Sequence, residues 1–220
     1  MISVAIDGPS GAGKSTLAKR LAKELGYLYV DTGAMYRSIG LFALRKGVDP
    51  KDEAAVTALL PQIQIELRYV NGAQRVLLCG EDVSEAIRAE NVGMATSAVS
   101  AHPPVRAFLL ELQRGMARTH DILMDGRDIG TVILPNASVK IFLTASAEAR
   151  ATRRFRELQE KGMDTDFETV LEDIRRRDYQ DSHRATAPLR QAEDAVLVDT
   201  SEMDLEESFQ ALKSLILSRV

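Results

Sequence analysis

The chain has 220 residues, of which 45% are hydrophobic, so it holds enough apolar material for one sizeable core but not for a second full domain. Its formal net charge of -4 disfavours a general nucleic-acid-binding surface. The first β-rich run begins at Ile2 without a basic leader, and no apolar run approaches the ~20 residues that span a membrane. We therefore expect a cytoplasmic protein that binds neither nucleic acid nor membrane. Small molecules are the expected partners, and a monomer is the expected state, although the composition itself does not determine it.

A phosphate-binding motif stands near the start of the chain. Residues 8–16 match G-x-x-x-x-G-K-[ST] between a β-rich run at 2–7 and a helical apolar pattern that begins at Leu17. The glycines let backbone N–H groups converge on phosphate oxygens at the positive end of the helix. Lys14, expected to face solvent, would reach the β- and γ-phosphates, and the Ser15 hydroxyl would bind Mg²⁺. A plain glycine-rich turn would not need this spacing, so the motif predicts binding of a nucleoside triphosphate.

Runs rich in Val, Ile and Leu recur along the chain with helical patterns between them, at 3–7, 28–31, 122–125, 139–144 and 196–199. This alternation predicts an α/β fold with a five-stranded parallel sheet flanked by helices. Four of the runs end in aspartate, at Asp7, Asp31, Asp125 and Asp199. Ligands bind at the carboxyl edge of open α/β sheets, so we expect the chemistry there.

One long segment interrupts the alternation of strands and helices. We interpret it as an inserted lobe at 32–100 that binds the molecule accepting a phosphoryl group from the triphosphate. Residues 63–69 alternate apolar and polar side chains and meet the run 75–79 across a turn at 70–73. That pattern predicts a β-hairpin with antiparallel strands. Helical patterns accompany it at 38–46 and 53–60.

A second excursion is predicted to be a short helical lid of two charged helices around a flexible tip at 161–164. The apolar spacing of 205–220 predicts a last helix that packs on the sheet. The chain then divides into a core at 1–31, 101–145 and 185–220, the lobe at 32–100 and the lid at 146–184.

Two arginine-bearing motifs follow predicted strands. Arg37 stands one helical turn beyond the second strand, where it can clamp an anionic acceptor. Asp31 or Thr32 can also serve merely as the N-cap of that helix, which leaves a structural interpretation open. Arg127 lies between two acids in the run 125–128, which a turn alone would not require. Both motifs favour an anion pocket.

Arginines in the lid recur at helical spacing. Arg150 and Arg154 share a helix face, and Arg177, Asp181 and Arg184 share one if their helix persists. We expect these arginines to gain partners only when phosphates bind. Other lid arginines are expected to form solvated salt bridges: Arg156, Arg175 and Arg176.

Residue types that would suggest other chemistry are sparse. Cys79 is the only cysteine and lies in a strand-like run, so we expect it to be buried and structural. The histidines show no metal-ligand spacing and are expected to be isolated and exposed: His102, His120 and His183. No nucleophile with a partnered histidine and no general base stands out. Phosphoryl transfer to an acceptor that is already a phosphate needs neither.

Together these motifs resemble the bacterial cytidylate kinases, a branch of the P-loop nucleoside monophosphate kinases. The resemblance extends from Ile2 to the C-terminal helix and rests on 8–16, 31–37, 125–132 and 177–189. It implies that ATP with Mg²⁺ phosphorylates CMP or dCMP, giving ADP and the diphosphate. The extra lobe of that family matches the hairpin-bearing segment.

The resemblance also implies a role for each matching residue. Catalysis falls to Lys14, Arg127, Arg154 and Arg184. The nucleotide-binding set is Gly8, Pro9, Ser10, Gly11, Ala12, Gly13, Lys14, Ser15, Thr16 and Arg150, with Arg153 an alternative to Arg154 on the donor side. Cytosine is read by Thr32, Arg106 and Asp128. The acceptor phosphate is held by Arg37, Arg127 and Arg184, and the sugar by Ser97, Arg177 and Asp181.

The cytosine assignment has independent chemical support. Asp128 can accept from the exocyclic amino group, and Arg106 can donate to the ring nitrogen and carbonyl. Uracil reverses two of those groups and would leave buried polar atoms unpaired.

Two rival functions fit part of the pattern. Another small-acceptor P-loop kinase, acting on a different monophosphate or on a metabolite hydroxyl, could use Asp125 or Asp128 as a base. A nucleotide-dependent switch usually carries an Asn-Lys-x-Asp motif, which the sequence lacks.

Overall fold

The computed structural model describes residues 1–70 and 73–220. The strands are β1 (Ser3–Asp7), β2 (Leu28–Asp31), β3 (Ile65–Val70), β4 (Ala73–Leu78), β5 (Glu81–Asp82), β6 (Ile122–Gly126), β7 (Val139–Thr144) and β8 (Val196–Asp199). The helices are α1 (Lys14–Leu25), α2 (Thr32–Arg45), α3 (Glu53–Leu59), α4 (Glu90–Val99), α5 (Pro103–Thr119), α6 (Ala147–Glu160), α7 (Phe167–His183) and α8 (Leu205–Leu217). A single wide helical turn spans Ile129–Ile133.

The chain divides into two compact units, unit 1 at 1–30 and 117–220 and unit 2 at 31–116. The predicted division into core, lobe and lid stays a prediction. Within the described part of the chain, every helix is too short or too polar to cross a lipid bilayer.

The large sheet has the strand order β2-β6-β1-β7-β8, with β1 parallel to both β6 and β7 and β8 parallel to β7. This confirms the predicted five-stranded parallel sheet with helices between its strands. The central strand is fully buried from Val4 to Ile6, as a strand covered on both faces requires. Asp7 ends β1 and Asp125 lies near the end of β6, so the carboxyl edge carries buried acids.

Unit 1 is held together by an apolar core between the sheet and helices α1 and α8. Leu21 of α1 and Phe209 of α8 are both fully enclosed and belong to the same cluster as Val4, Ile6 and other sheet residues. Helix α8 begins with a reciprocal capping box in which Asp204 and Glu207 satisfy each other's backbone N–H groups. The predicted C-terminal helix is thus confirmed.

Helices α6 and α7 have a small apolar cluster of their own. Leu158 of α6 packs with Leu171 and Ile174 of α7, and the rings of Phe155 and Phe167 meet edge to face at 6.1 Å. The two predicted charged helices are confirmed. Because α7 ends at His183, Arg184 lies beyond the helix and does not share its face.

In unit 2, β3, β4 and β5 form a three-stranded antiparallel sheet, which confirms the predicted hairpin. Ile65 pairs with Leu78 and Arg68 with Arg75. The short third strand was not predicted from the sequence. Of the predicted turn, Asn71 and Gly72 lie outside the described residues.

Two expectations about unit 2 were wrong. Cys79 is exposed with a φ of 51°, because β4 ends at Leu78 and the chain turns at this residue. His102 is buried rather than exposed, since its Nε2 lies 2.8 Å from the Pro50 carbonyl oxygen and its Nδ1 lies 3.5 Å from a Glu53 carboxylate oxygen. Neither partner is close enough in sequence for a periodic pattern to reveal it.

Candidate active site

The phosphate-binding motif joins β1 to α1 through a loop that only glycine permits at several positions. Gly11 and Gly13 have φ of 77° and 85°, in the left-handed region that favours glycine. At Gly8 a Cβ atom would lie 1.9 Å from the carbonyl oxygen of Leu143 in β7. The loop therefore lies directly against the sheet at Gly8, where glycine is needed for the close approach.

Lys14 is buried, contrary to the expectation that it faces solvent. Its exposed fraction is 5%, and its Nζ donates to the Pro9 carbonyl oxygen at 2.6 Å. Burial, followed by the nearby charge of Arg127, lowers the pKa of Lys14 to about 7. The lysine donates to a carbonyl of its own loop, so the loop encloses the ammonium group that would bind a phosphate.

Ser15 lies beside a buried carboxylate. Its Oγ donates to Asp125 Oδ2 at 2.7 Å, and the hydroxyl of Tyr29 donates to Asp125 Oδ1 at 2.9 Å. No group of three or more potential metal-ligating His, Cys, Asp or Glu occurs among residues 1–70 and 73–220. A hydroxyl with one neighbouring carboxylate nevertheless fits Mg²⁺, which commonly binds through few protein oxygens together with substrate phosphates and waters.

Asp7 organises the segment that follows β6. Its two carboxylate oxygens accept the backbone N–H groups of Ile129 and Gly130, each at 2.7 Å. Burial raises the pKa of Asp7 to about 6, even though both hydrogen bonds act in the opposite direction. Asp7 thus fixes the backbone immediately after Asp128. The sequence predicted that Asp7 lies at the carboxyl edge of the sheet, but it did not indicate the hydrogen bonds from Ile129 and Gly130.

Two predicted acceptor-phosphate arginines are paired with aspartates of unit 1. Arg127 Nε donates to Asp181 Oδ2 at 2.7 Å. Arg184 Nη2 lies 3.4 Å from Asp128 Oδ1, and Arg184 Nε donates to the Ala187 carbonyl oxygen at 2.6 Å. The structure therefore brings together four predicted site residues. Arg150, Arg154, Arg177 and Arg184 were expected to gain partners only when phosphates bind. That expectation was wrong, because each of them already faces an aspartate or a glutamate.

The lid arginines differ sharply in their surroundings. Arg150 is buried and contacts Asp178, a residue that sequence reasoning did not single out. Arg153 donates to the backbone carbonyl oxygen of Thr200, whereas Arg154 is half exposed and pairs with Glu157 at 2.9 Å.

The remaining lid arginines lie on the surface, and the predicted solvated salt bridges are confirmed for Arg175 with Glu148 and for Arg176 with Asp173. Arg177, a predicted sugar contact, also faces Asp173 at 3.5 Å.

Unit 2 carries a second cluster around Asp31. Its carboxylate caps α2 by accepting the Ala34 N–H at 2.9 Å, and it accepts from Arg37 Nη2 at 3.0 and 3.1 Å. Of the two candidates for the N-cap of α2, the structure shows that Asp31 caps the helix and Thr32 does not. Arg88 Nη2 reaches the same carboxylate at 3.2 Å and was missed from the sequence. Arg37 Nε is a buried donor without a hydrogen-bond acceptor among the described residues.

The other predicted substrate residues of unit 2 lie on helices α2, α4 and α5. Arg106 is buried on α5, where its guanidinium lies 5.5 Å from the Tyr36 ring centroid and donates to the Ser100 carbonyl oxygen at 3.1 Å. Thr32 is buried at the start of α2, whereas Ser97 is exposed on α4.

The chain has a glycine-rich phosphate loop between the central strand of a parallel sheet and a helix, and arginines paired with acids follow it. This arrangement defines a P-loop kinase. A solved structure of an uncharacterised protein from Eubacterium ventriosum shares the fold, with a TM-score of 0.53, 13% identity and full coverage of both chains.

Sequence comparison is more specific. The family model described as cytidylate kinase matches residues 4–217. A cytidylate kinase of Enterococcus faecalis is 51% identical over 215 residues, covering 98% of this chain and 95% of the relative. That of Geobacillus kaustophilus is 50% identical over 219 residues, covering 100% and 98%. The chain belongs to the cytidylate kinase family and is a phosphotransferase.

Proposed function

We propose that this chain transfers the γ-phosphoryl group of ATP to CMP or dCMP, giving ADP and CDP or dCDP. The observation that carries the proposal is about 50% identity to curated cytidylate kinases over nearly the whole chain. The phosphate loop with Lys14 and Ser15 supplies the chemistry that such a transfer needs.

On the donor side, residues 8–16 bind the triphosphate through their backbone N–H groups, and Lys14 neutralises the migrating group. The Ser15 hydroxyl, next to Asp125, would hold Mg²⁺, which would supply positive charge to phosphate oxygens. Arg154 is the donor-side lid arginine. Arg153 is committed to the Thr200 backbone, which favours this choice.

The reaction needs no general base. A phosphate oxygen of the acceptor attacks the γ-phosphorus of ATP, and the bond to the bridging oxygen of ADP breaks, so the leaving electrons stay on ADP. Cationic side chains stabilise the negative charge that spreads in the transition state. The groups proposed for the acceptor phosphate are Arg37, Arg127 and Arg184.

Acceptor recognition rests on polar side chains. For cytosine we assign Thr32, Arg106 and Asp128, and for the sugar Ser97, Arg177 and Asp181. Asp128 is buried and carboxylate-bearing, as acceptance of a hydrogen bond from an exocyclic amino group requires.

A coupled ADP-release assay with a panel of acceptors tests the proposal. CMP and dCMP should give rapid turnover, UMP should react more slowly, and chelation of Mg²⁺ should stop the reaction. Slow ATP turnover that is independent of acceptor would instead indicate a nucleotide-dependent switch, and preference for a metabolite hydroxyl would indicate a different kinase. Size-exclusion chromatography tests the prediction that the enzyme is monomeric, and cell fractionation tests the predicted cytoplasmic location.

A further inference from the structure

Arg150 is a buried cation whose hydrogen bonds connect three segments of unit 1. Its Nε donates to the Ala145 carbonyl oxygen at 2.8 Å, just beyond β7. Its Nη1 donates to the Ser10 carbonyl oxygen of the phosphate loop at 3.0 Å. Asp178 of α7 accepts from Nη1 at 2.9 Å and from Nη2 at 2.6 Å. Four of the five guanidinium N–H groups are therefore engaged by the protein itself.

We propose that Arg150, held in place by Asp178, is a positioning residue that sets the conformation of the phosphate loop and does not contact ATP. This inference rests on the proposed function, since it takes residues 8–16 to be the ATP-binding loop. It replaces the earlier assignment of Arg150 to nucleotide contact.

Peptide planarity explains how a bond to one carbonyl can organise a phosphate site. The Ser10 carbonyl and the Gly11 N–H belong to a single planar trans peptide unit and point in opposite directions. When Arg150 fixes the carbonyl, it also fixes the Gly11 N–H, which then points away from the guanidinium. Backbone N–H groups of this loop are the donors that bind phosphate oxygens.

Packing reinforces the same contact. A Cβ atom built on Gly11 would lie 3.4 Å from Arg150 Cβ, so the lid helix and the loop are closely packed. Gly11 has a φ of 77°, and Arg150 supports a loop segment that already adopts an unusual backbone conformation.

Asp178 provides what a buried arginine requires. A two-point carboxylate contact orients the guanidinium plane and compensates its charge away from water. Asp181 lies three residues further along α7, and its carboxylate accepts from Arg127 at 2.7 Å. Helix α7 thus orients two arginines: Arg150, which supports the phosphate loop, and Arg127, which is proposed to hold the acceptor phosphate.

Equilibrium binding to Asp178→Asn tests the inference. We expect ATP to bind about tenfold more weakly, the scale of one hydrogen bond to a charged group, while CMP binds as in the wild type. In steady-state assays, KM for ATP should rise and KM for CMP should not. The matched control is Arg175→Met, because Arg175 joins the same two helices through Glu148 at 2.8 Å but lies on the surface. This control should leave both affinities unchanged.

A second variant keeps the test decisive if Asp178→Asn folds poorly. The double substitution Arg150→Met with Asp178→Leu removes both charges at once, which avoids an unpaired buried ion. Its melting temperature establishes that it folds, and it should again bind ATP weakly and CMP normally. Wild-type ATP affinity in this folded double variant, or equal loss of ATP and CMP binding, would overturn the proposal.

The two hypotheses fail in different ways. A wild-type protein that binds ATP but does not phosphorylate CMP would contradict the proposed function while leaving the role of Arg150 intact.

Discussion

Lys14, to which we assign a catalytic role, lowers the stability of the folded protein. Its folded pKa is lowered from 10.5 to about 7, so the unfolded chain binds more protons than the folded one between those values. Lys14 therefore lowers the free energy of unfolding. This loss of stability is absent above pH 10.5, grows as the pH falls through this window, and is complete below about pH 7. Lys14→Met should therefore unfold at higher denaturant concentration than the wild type at pH 6, with a smaller difference at pH 10.

The same variant should lose activity. Removing one electrostatic stabiliser of the transition state commonly lowers kcat at least ~100-fold. Near-normal turnover by Lys14→Met would contradict the assigned role of the lysine.

The contribution of Asp7 to stability depends on pH in the opposite direction from that of Lys14. Its folded pKa is raised from 3.8 to about 6, so the stability that it provides is fully present below pH 3.8 and is lost as the pH rises through 6. The shift corresponds to a loss on the order of 3 kcal/mol over that window. In Asp7→Asn, whose side chain does not titrate, the free energy of unfolding should fall less between pH 4 and pH 7. An unchanged pH slope would show that Asp7 is not the responsible group.

Asp128 carries the prediction about base choice. Asp128→Ala removes the proposed acceptor for the cytosine amino group and the carboxylate that repels O4 of uracil. The preference for CMP over UMP in kcat/KM should shrink about 10- to 100-fold, as expected for loss of a charged hydrogen bond.

Arg37→Ala is the control for that experiment, because the phosphate contact proposed for Arg37 would carry no information about the base. It should weaken use of both monophosphates alike. If Asp128→Ala also lowered both activities by one factor, its contact with Arg184 would be the better explanation for its importance.

At the scale of an element, the turn from β1 to α1 depends on one close approach. Gly8→Ala would place its Cβ atom 1.9 Å from a β7 carbonyl oxygen, and backbone cannot move aside cheaply. We expect loss of nucleotide binding and a lower melting temperature. Gly115→Ala provides the contrast, since it lies within α5 with open space around it and should stabilise the protein by roughly 0.5–1 kcal/mol. Equal melting temperatures for the two variants would contradict this account.

The elements themselves were largely predictable because their signals are local. Alternation over 63–69 defined the hairpin, and the spacing after Leu17 defined the helix behind the phosphate loop. The loop motif likewise combines strand, glycines and lysine within a short stretch. Short strands such as β5, with only Glu81 and Asp82, carry too few side chains for any periodicity.

The partners of charged side chains were not predictable in the same way. Arg150 and Asp178 are 28 residues apart, and helical spacing does not show that Arg150 pairs with Asp178 in a buried contact whereas Arg175 pairs with Glu148 at the surface. Burial of Lys14 depends on how the loop folds back to Pro9, which a motif cannot show. Helix spacing predicts which residues share a face, but tertiary packing decides what that face meets.

At the scale of the whole molecule, helices α6 and α7 should respond to ligands together. They share an apolar cluster and the Arg150–Asp178 pair, so neither can move far without the other. We expect a bisubstrate mimic to slow amide hydrogen exchange across 150–184 more than an ATP analogue or CMP alone, because exclusion of water requires both ligands. Unchanged exchange in this segment would remove it from the mechanism.

The turn that exposes Cys79 has a practical consequence for following the enzyme in solution. This thiol is the chain's only cysteine; it is exposed, lies in unit 2, and is assigned no role in transfer. A maleimide dye will therefore attach once and at a known position, without the usual need to engineer a cysteine-free background. Its fluorescence anisotropy or quenching can then record how unit 2 responds to each nucleotide in real time.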